Sequence, residues 1–221
     1  MPPGDTKEKI LDEAERLFAD HGFSDTSLRD ITAGAGVNLA AVNYHFGSKE
    51  ELIKAVFERR VGPLNRQRLE ILDRLETSSE PPALAEVVDA FIDPPLRICC
   101  EGSPIFMRLF GQTYSHPDAN LTRIMVEQFR EVAFRFGRAI HRAVPHLDEH
   151  DVFWRLVFMV GSMAHSLALT EMVPKIAGEQ HRIESVEEFK AHLIPFLVAG
   201  LSAPATPRQA SAKTTDRGGN R

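Results

Sequence analysis

The residues of this 221-residue chain best suited to chemistry lie on one short stretch of helix: Asn38, Leu39, Ala40 and Asn43. The carboxamide of Asn43 matches the donor–acceptor pair that adenine presents in the major groove, and Leu39 and Ala40 suit the thymine methyl. Small side chains at the start of such a helix also let its backbone approach base edges. Next to them, Tyr44 and His45 carry donors for phosphate oxygens. Lys49 falls in the first turn of the following helix, where unpaired amides also favour an anion. Arg29 and Lys49 against Asp30 leave the segment 26–49 slightly basic. The chemistry on offer is the reading of double-stranded DNA.

Positioning these groups requires a helix, a tight turn and a second helix. Ile10, Leu11, Ala14, Leu17 and Phe18 repeat at helical spacing, and Gly22 closes that first helix. Ser27 to Asp30 reads as a capping box opening a second helix. Gly34 and Gly36 mark a turn, Asn38 is a good N-cap, and the third helix ends before Gly47. Ser48 to Glu51 is another capping box, opening a long helix that runs past Leu72 with a kink expected at Gly62-Pro63. Helix, glycine turn, helix is the outline of a helix-turn-helix, whose second helix enters the major groove. The same outline fits a compact helical hairpin in any helical protein.

Past the loop at 77–82, helical periodicity predicts segments at 83–100, 103–114, 117–143, 149–172 and 186–201, the last opened by a box at Ser185 to Glu188. Pro94-Pro95 is expected to break or bend the first of these. No run of alternating β-branched residues suggests a sheet, so the predicted class is all-α. The expected organisation is a helix-turn-helix domain over 1–50, a larger helical domain over 51–202 joined through the long helix, and a disordered basic tail over 203–221.

The second unit holds its own candidates. The helix at 149–172 is apolar nearly all round, so it must be buried on more than one face; with the helix at 186–201 it suggests a four-helix interface in a homodimer. Phe91, Phe106, Met107, Phe110, Phe129, Phe136, Phe158, Met159 and Met163 suit a pocket for a hydrophobic small molecule, and each fits a plain core role as well. Arg108 and Arg123 are candidates for a carboxylate or phosphate head group, and a role as solvated surface arginines fits them better.

Composition narrows the classes further. Hydrophobic residues make up 43% and charged residues 26%, which excludes collagen, wholesale disorder and a disulfide scaffold. The net charge of −5 advertises no nucleic-acid partner, and residues 1–50 hold five Lys/Arg against nine acids. DNA affinity must therefore come from a local patch. Cys99 and Cys100 cannot form an ordinary bridge, the start of the chain has no apolar leader, and Val152 to Val173 is interrupted by Arg155, His165 and Glu171. A cytoplasmic protein without a membrane partner is expected. There is no nucleophile elbow, P-loop or dinucleotide glycine pattern, and His165 and Glu171 fall on different helix faces, so an enzyme is not expected. His141, His146, His150 and Asp148 surround a loop at Pro145 and are not read as a metal site; no cofactor is expected.

The run from Thr26 to Leu52 resembles the N-terminal signature of the TetR family of bacterial transcriptional regulators. Phe18, Gly22, Phe23, Thr26, Ile31, Ala35, Gly36, Val37, Tyr44, His45, Phe46, Lys49 and Leu52 stand where that signature places them. Asn43 stands where the family often has a second aromatic. The resemblance implies a DNA-facing set of Thr26, Arg29, Asn38, Leu39, Ala40, Asn43, Tyr44, His45 and Lys49. Farther along, Gly62 to Leu64, Ser103 to Phe110, Phe153 to Met159 and Ile194 to Phe196 are similar to the PsrA-type branch, known as fatty-acid-responsive repressors. That likeness implies a homodimer on a palindromic operator, released by a long-chain fatty acid or acyl-CoA, with 51–202 as the effector-binding and dimerisation domain; the Gly62-Pro63 kink is the expected hinge of the long helix. The competing readings are the same regulator with another effector, and a helical lipid carrier or hydrolase that binds no DNA.

Overall fold

The computed structural model describes residues 3–78, 80–100, 108–109, 119–170 and 172–207, and among them every regular element is helical. In chain order these are α1 (Pro3–His21), α2 (Leu28–Ala35), α3 (Leu39–His45), α4 (Lys49–Glu76), α5 (Leu84–Cys100), α6 (Ala119–Ala143), α7 (Glu149–Leu169), α8 (Val173–Ala177), a 3₁₀ turn (Glu179–His181) and α9 (Val186–Ser202). The all-α expectation holds. The short α8 and the 3₁₀ turn occupy a stretch in which no helix was expected, and α7 ends at Leu169 instead of 172.

Apolar side chains gather into two clusters. One joins Ile10, Phe18, Ile31, Val42, Phe46, Leu52 and Phe57 with Leu121 and Ile124, so the start of α6 shares a core with α1 to α4. The other lies among α4, α5, α6, α7 and α9 around Leu72, Phe91, Ile92, Phe136, Met159 and Leu197. The helix α4 belongs to both, buried through Leu52, Val56 and Val61 in the first and Leu72 in the second.

One of the proline sites shows a side chain compensating for a lost amide. The helix α4 continues through Pro63, which faces solvent. The helix α5 also continues through Pro94 and Pro95. Pro95 has no amide to offer the carbonyl four residues back; that carbonyl, on Phe91, instead accepts from Arg68 Nε at 2.8 Å.

Capping is completed unevenly. At Ser27 both halves of the box are made. Ser48 and Ser185 each cap through the hydroxyl, while the Glu188 carboxylate accepts from the Glu184 amide. The tail also departs from expectation at its start. The Arg155 guanidinium donates to the carbonyls of Gly200, Leu201, Ala203 and Pro204, and Asp151 accepts from the Thr206 amide. Those contacts hold residues 203–207 against α7; the rest of the expected tail lies outside the described residues.

Candidate nucleic-acid interface

The turn between α2 and α3 is built by its backbone. Gly36 adopts φ +65°, left-handed geometry that a β-carbon disfavours, and the Val37 amide reaches the Thr32 carbonyl at 3.0 Å. Asn38 then caps α3, its carbonyl oxygen accepting from the Ala41 amide at 3.0 Å. Only its amide hydrogens remain as donors toward DNA, since that oxygen is committed to the helix.

On α3, Val42 is fully buried and Phe46 closes the helix beneath it. The opposite face carries Leu39, Ala40, Asn43 and Tyr44, all exposed. These positions form two i,i+4 pairs, so they make one surface. Tyr44 is 83% exposed and packs edge-on against the half-buried His45 ring at 5.0 Å. An exposed phenol packed against a neighbouring imidazole is well placed to meet a polar partner. Arg29 is exposed on the first turns of α2, and the Lys49 ammonium lies 3.3 Å from the Ser24 carbonyl at the turn after α1.

Thr26 is a correction. Only 2% exposed, its hydroxyl donates to the Gly22 carbonyl at 2.8 Å, with the Leu17 carbonyl at 3.2 Å. It fastens the chain after α1 and has no surface to offer DNA. Burial was invisible in the sequence because a threonine before a capping box suits either role.

Pairing accounts for the excess of acids in residues 1–50. Arg59 on α4 meets Glu8, Asp12 and the buried Glu15, and Arg60 Nε binds Glu15 at 2.5 Å. Asp20 is shared by Arg16 and Arg108, and Glu50 pairs with Arg123. Arginines from later in the chain thus neutralise α1 from outside the helix-turn-helix. Arg108 and Arg123, considered above for an effector head group, are exposed and already hold these carboxylates. Asp30 is held below the usual carboxylate range, first by the Ser27 hydroxyl and then by the Ser27 amide.

The expected effector pocket does not assemble as one lining. Phe91, Met159 and Met163 are core residues of the second cluster. Phe129 is half-buried against the first cluster instead. Phe158 is 62% exposed on the outward face of α7, because the buried stripe of that helix runs through Val152, Leu156, Met159 and Met163 and turns its neighbour outward. Phe106, Met107 and Phe110 lie outside the described residues. A cavity of about 270 Å³ lies between Phe23, Lys49, Ile53 and the start of α6, and one of about 180 Å³ between the end of α7 and α9. Neither is lined by any of the described candidates.

By length and composition α7 is apolar enough to cross a membrane. In the fold its buried stripe packs into the second cluster, and Phe153, Trp154, Val157 and Phe158 form an exposed aromatic face. Trp154 and Phe158 lie 6.0 Å apart there.

A capped helix, a left-handed glycine and a short helix with an exposed outward face make up a helix-turn-helix. Comparison with known proteins agrees. Residues 10–56 match the profile described as bacterial regulatory proteins, tetR family, and residues 89–200, half of the chain, match that of the tetracyclin repressor-like C-terminal domain. The chain belongs to the TetR family, whose members are DNA-binding transcriptional regulators. It is 38% identical over 66 residues to the HTH-type transcriptional regulator AcrR of Shigella flexneri, covering 30% of this chain and 31% of that one. The chain thus spans about a third of the length of that relative. Among solved structures it is similar to the regulator FadR of Bacillus subtilis in complex with stearoyl-CoA (TM-score 0.67, 14% identity, 87% of this chain and 98% of that one). It is also similar to SmeT in a complex with triclosan (TM-score 0.59, 22% identity, 93% and 98%).

Proposed function

We propose that this chain is a homodimeric transcriptional repressor that binds a near-palindromic operator and is released by a hydrophobic ligand such as a long-chain fatty acid or acyl-CoA, as in the PsrA-type branch. In this reading residues 1–50 read DNA, residues 51–202 bind the effector and dimerise, and the protein works in the bacterial cytoplasm. The outward face of α3 carries it. Leu39, Ala40, Asn43 and Tyr44 are exposed together on a helix whose other side is sealed by Val42 and Phe46. Asn43 and Leu39 take the base edges, with Ala40 beside them, and Asn38 donates through its amide. Arg29, Tyr44, His45 and Lys49 meet phosphates.

The dimer reading is supported by the aromatic face of α7 and by Phe196, 65% exposed on α9. Exposed aromatic residues of this size, grouped on neighbouring helices, mark an interaction surface. A two-fold pair presents its recognition helices about 34–36 Å apart, or farther by whole turns. The acyl effector is supported by the likeness to a structure in complex with stearoyl-CoA; the likeness to one in complex with triclosan favours a second reading, the same regulator with a drug-like effector. A ligand releases DNA only by binding the non-DNA conformation more tightly.

Sedimentation velocity and fluorescence anisotropy with DNA from immediately upstream of the gene test this reading together. The expected result is a dimer whose DNA complex dissociates on adding palmitoyl-CoA. A DNA complex indifferent to palmitoyl-CoA but dissociated by triclosan replaces the acyl effector with the second reading. A monomer, or no binding to that DNA, counts against the proposal as a whole.

A further inference from the structure

Arg68, on α4, is the one buried cation among the described residues, at 2% exposure. Its Nε donates to the Phe91 carbonyl at 2.8 Å, its Nη1 lies 3.4 Å from Asn65 Oδ1, and the guanidinium carbon sits 4.0 Å from the centre of the Phe91 ring. Asn65 is itself oriented by donating to the Gln128 carbonyl on α6 at 2.8 Å. No carboxylate pairs with Arg68 among the described residues. Burial alone pushes its guanidinium down to about 9, so it still carries a proton at neutral pH.

The buried acidic side chains among the described residues have partners. Glu15 has Arg59 and Arg60. Asp151 sits in the first turn of α7, where the helix dipole favours an anion, and accepts from the Thr206 amide. Arg68 has two neutral oxygens and the face of the Phe91 ring, and no anion among the described residues. The Phe91 carbonyl that Pro95 leaves without an amide needs one donor, which a neutral side chain supplies equally well. A full charge in that place carries a desolvation penalty that neutral acceptors do not offset. A guanidinium holds five donors in a planar fork shaped for carboxylate or phosphate, and the contacts described engage two of them.

We propose that Arg68 anchors the anionic head group of the effector, a carboxylate or phosphate at the end of an apolar chain taken up among α4, α5 and α6. The proposal rests on the ligand-released reading above. It also sets the chemistry: Leu72, Phe91, Ile92 and Phe136, packed together at no more than 4% exposure, part to admit the chain and become its apolar surroundings, and the guanidinium selects for negative charge. A neutral ligand of equal length forgoes the ion pair.

Calorimetry on the full chain with decanoate, decyl phosphate and decanol tests this. One of the anions is expected to bind at least tenfold more tightly than decanol, and which one it is separates carboxylate from phosphate recognition. Arg68→Gln retains a donor for the Phe91 carbonyl and is expected to bring the anion within twofold of decanol. Decanol binding as tightly as both anions, or an anion preference that survives Arg68→Gln, overturns the assignment. If decanol alone binds and releases DNA, the hydrophobic-effector reading stands and the Arg68 inference falls. If none of the three binds, the Arg68 inference falls, and the effector reading falls with it only if palmitoyl-CoA also fails to release DNA. Should Arg68→Gln fail to fold by circular dichroism, Arg68→Lys is expected to weaken the anion at least threefold with decanol unchanged; an unchanged anion affinity overturns the proposal.

Discussion

The outward face of α3 and the outward face of α7 are both exposed, yet they are built from opposite materials. On α3 the exposed residues are small or polar: Ala40 and Asn43, with Leu39 and the phenol of Tyr44. On α7 they are Phe153, Trp154, Val157 and Phe158. A surface that must meet base edges and phosphates retains hydrogen-bonding groups and room for the backbone. A surface that meets another apolar helix gains most from large rings. The contrast teaches that exposure in a single chain does not define a role; the chemistry of what is exposed does.

Neighbouring residues on α7 sharpen that contrast most. Met159→Ala is expected to destabilise the fold by about 2–5 kcal/mol, since it empties space in a packed core. Phe158→Ala, one residue away, leaves the stability of the isolated chain nearly unchanged and weakens self-association. Urea unfolding at two protein concentrations separates the effects, and equal losses of chain stability for both variants would break the comparison. Next in size is Thr26→Val, which strips a buried hydroxyl from the Gly22 carbonyl. A loss of about 1–3 kcal/mol in the same assay, with DNA affinity of the folded protein preserved, fits a structural Thr26. Reduced DNA affinity without destabilisation would return it to the interface.

Smaller effects test the rim of α3. Lys49→Met is expected to flatten the slope of log affinity against log salt by about one, the signature of a single lost phosphate contact. An unchanged slope removes Lys49 from the phosphate rim. Ser27→Ala has the smallest expected effect. Because Asp30 titrates below the usual carboxylate range, its contribution to the α2 cap is complete above that range and fades as pH falls through it. Removing the hydroxyl should move the Asp30 titration, followed by NMR, back toward the ordinary value. No movement would show that the Ser27 amide suffices.

Much of the first unit was legible in the sequence because its signals are local. The Ser27 box, the Gly36 turn and the Asn38 cap are all set by residues a few positions apart. Thr26 misled because its partners, Leu17 and Gly22, come from the preceding helix and its turn. The second unit was less legible because its decisive contacts are long-range. Arg155 holds carbonyls more than forty residues away, and Phe158 and Met159 diverge only once the buried stripe of α7 is fixed by its neighbours. Arg68 carried a faint signal. Pro95 leaves the Phe91 carbonyl needing a donor, but nothing in the sequence said which helix would bring one.

The central claim is that the outward face of α3 reads DNA. Fluorescence anisotropy with the upstream fragment, titrated at two salt concentrations for the wild type and for Asn43→Ala with Tyr44→Ala, tests it most directly. Both residues are exposed, so the variant should melt with the wild type. The account predicts tight, salt-dependent binding by the wild type and affinity lower by roughly ten- to a hundredfold in the variant, the loss of a base contact worth about 1–3 kcal/mol. Equal binding by the two proteins at both salt concentrations would contradict it.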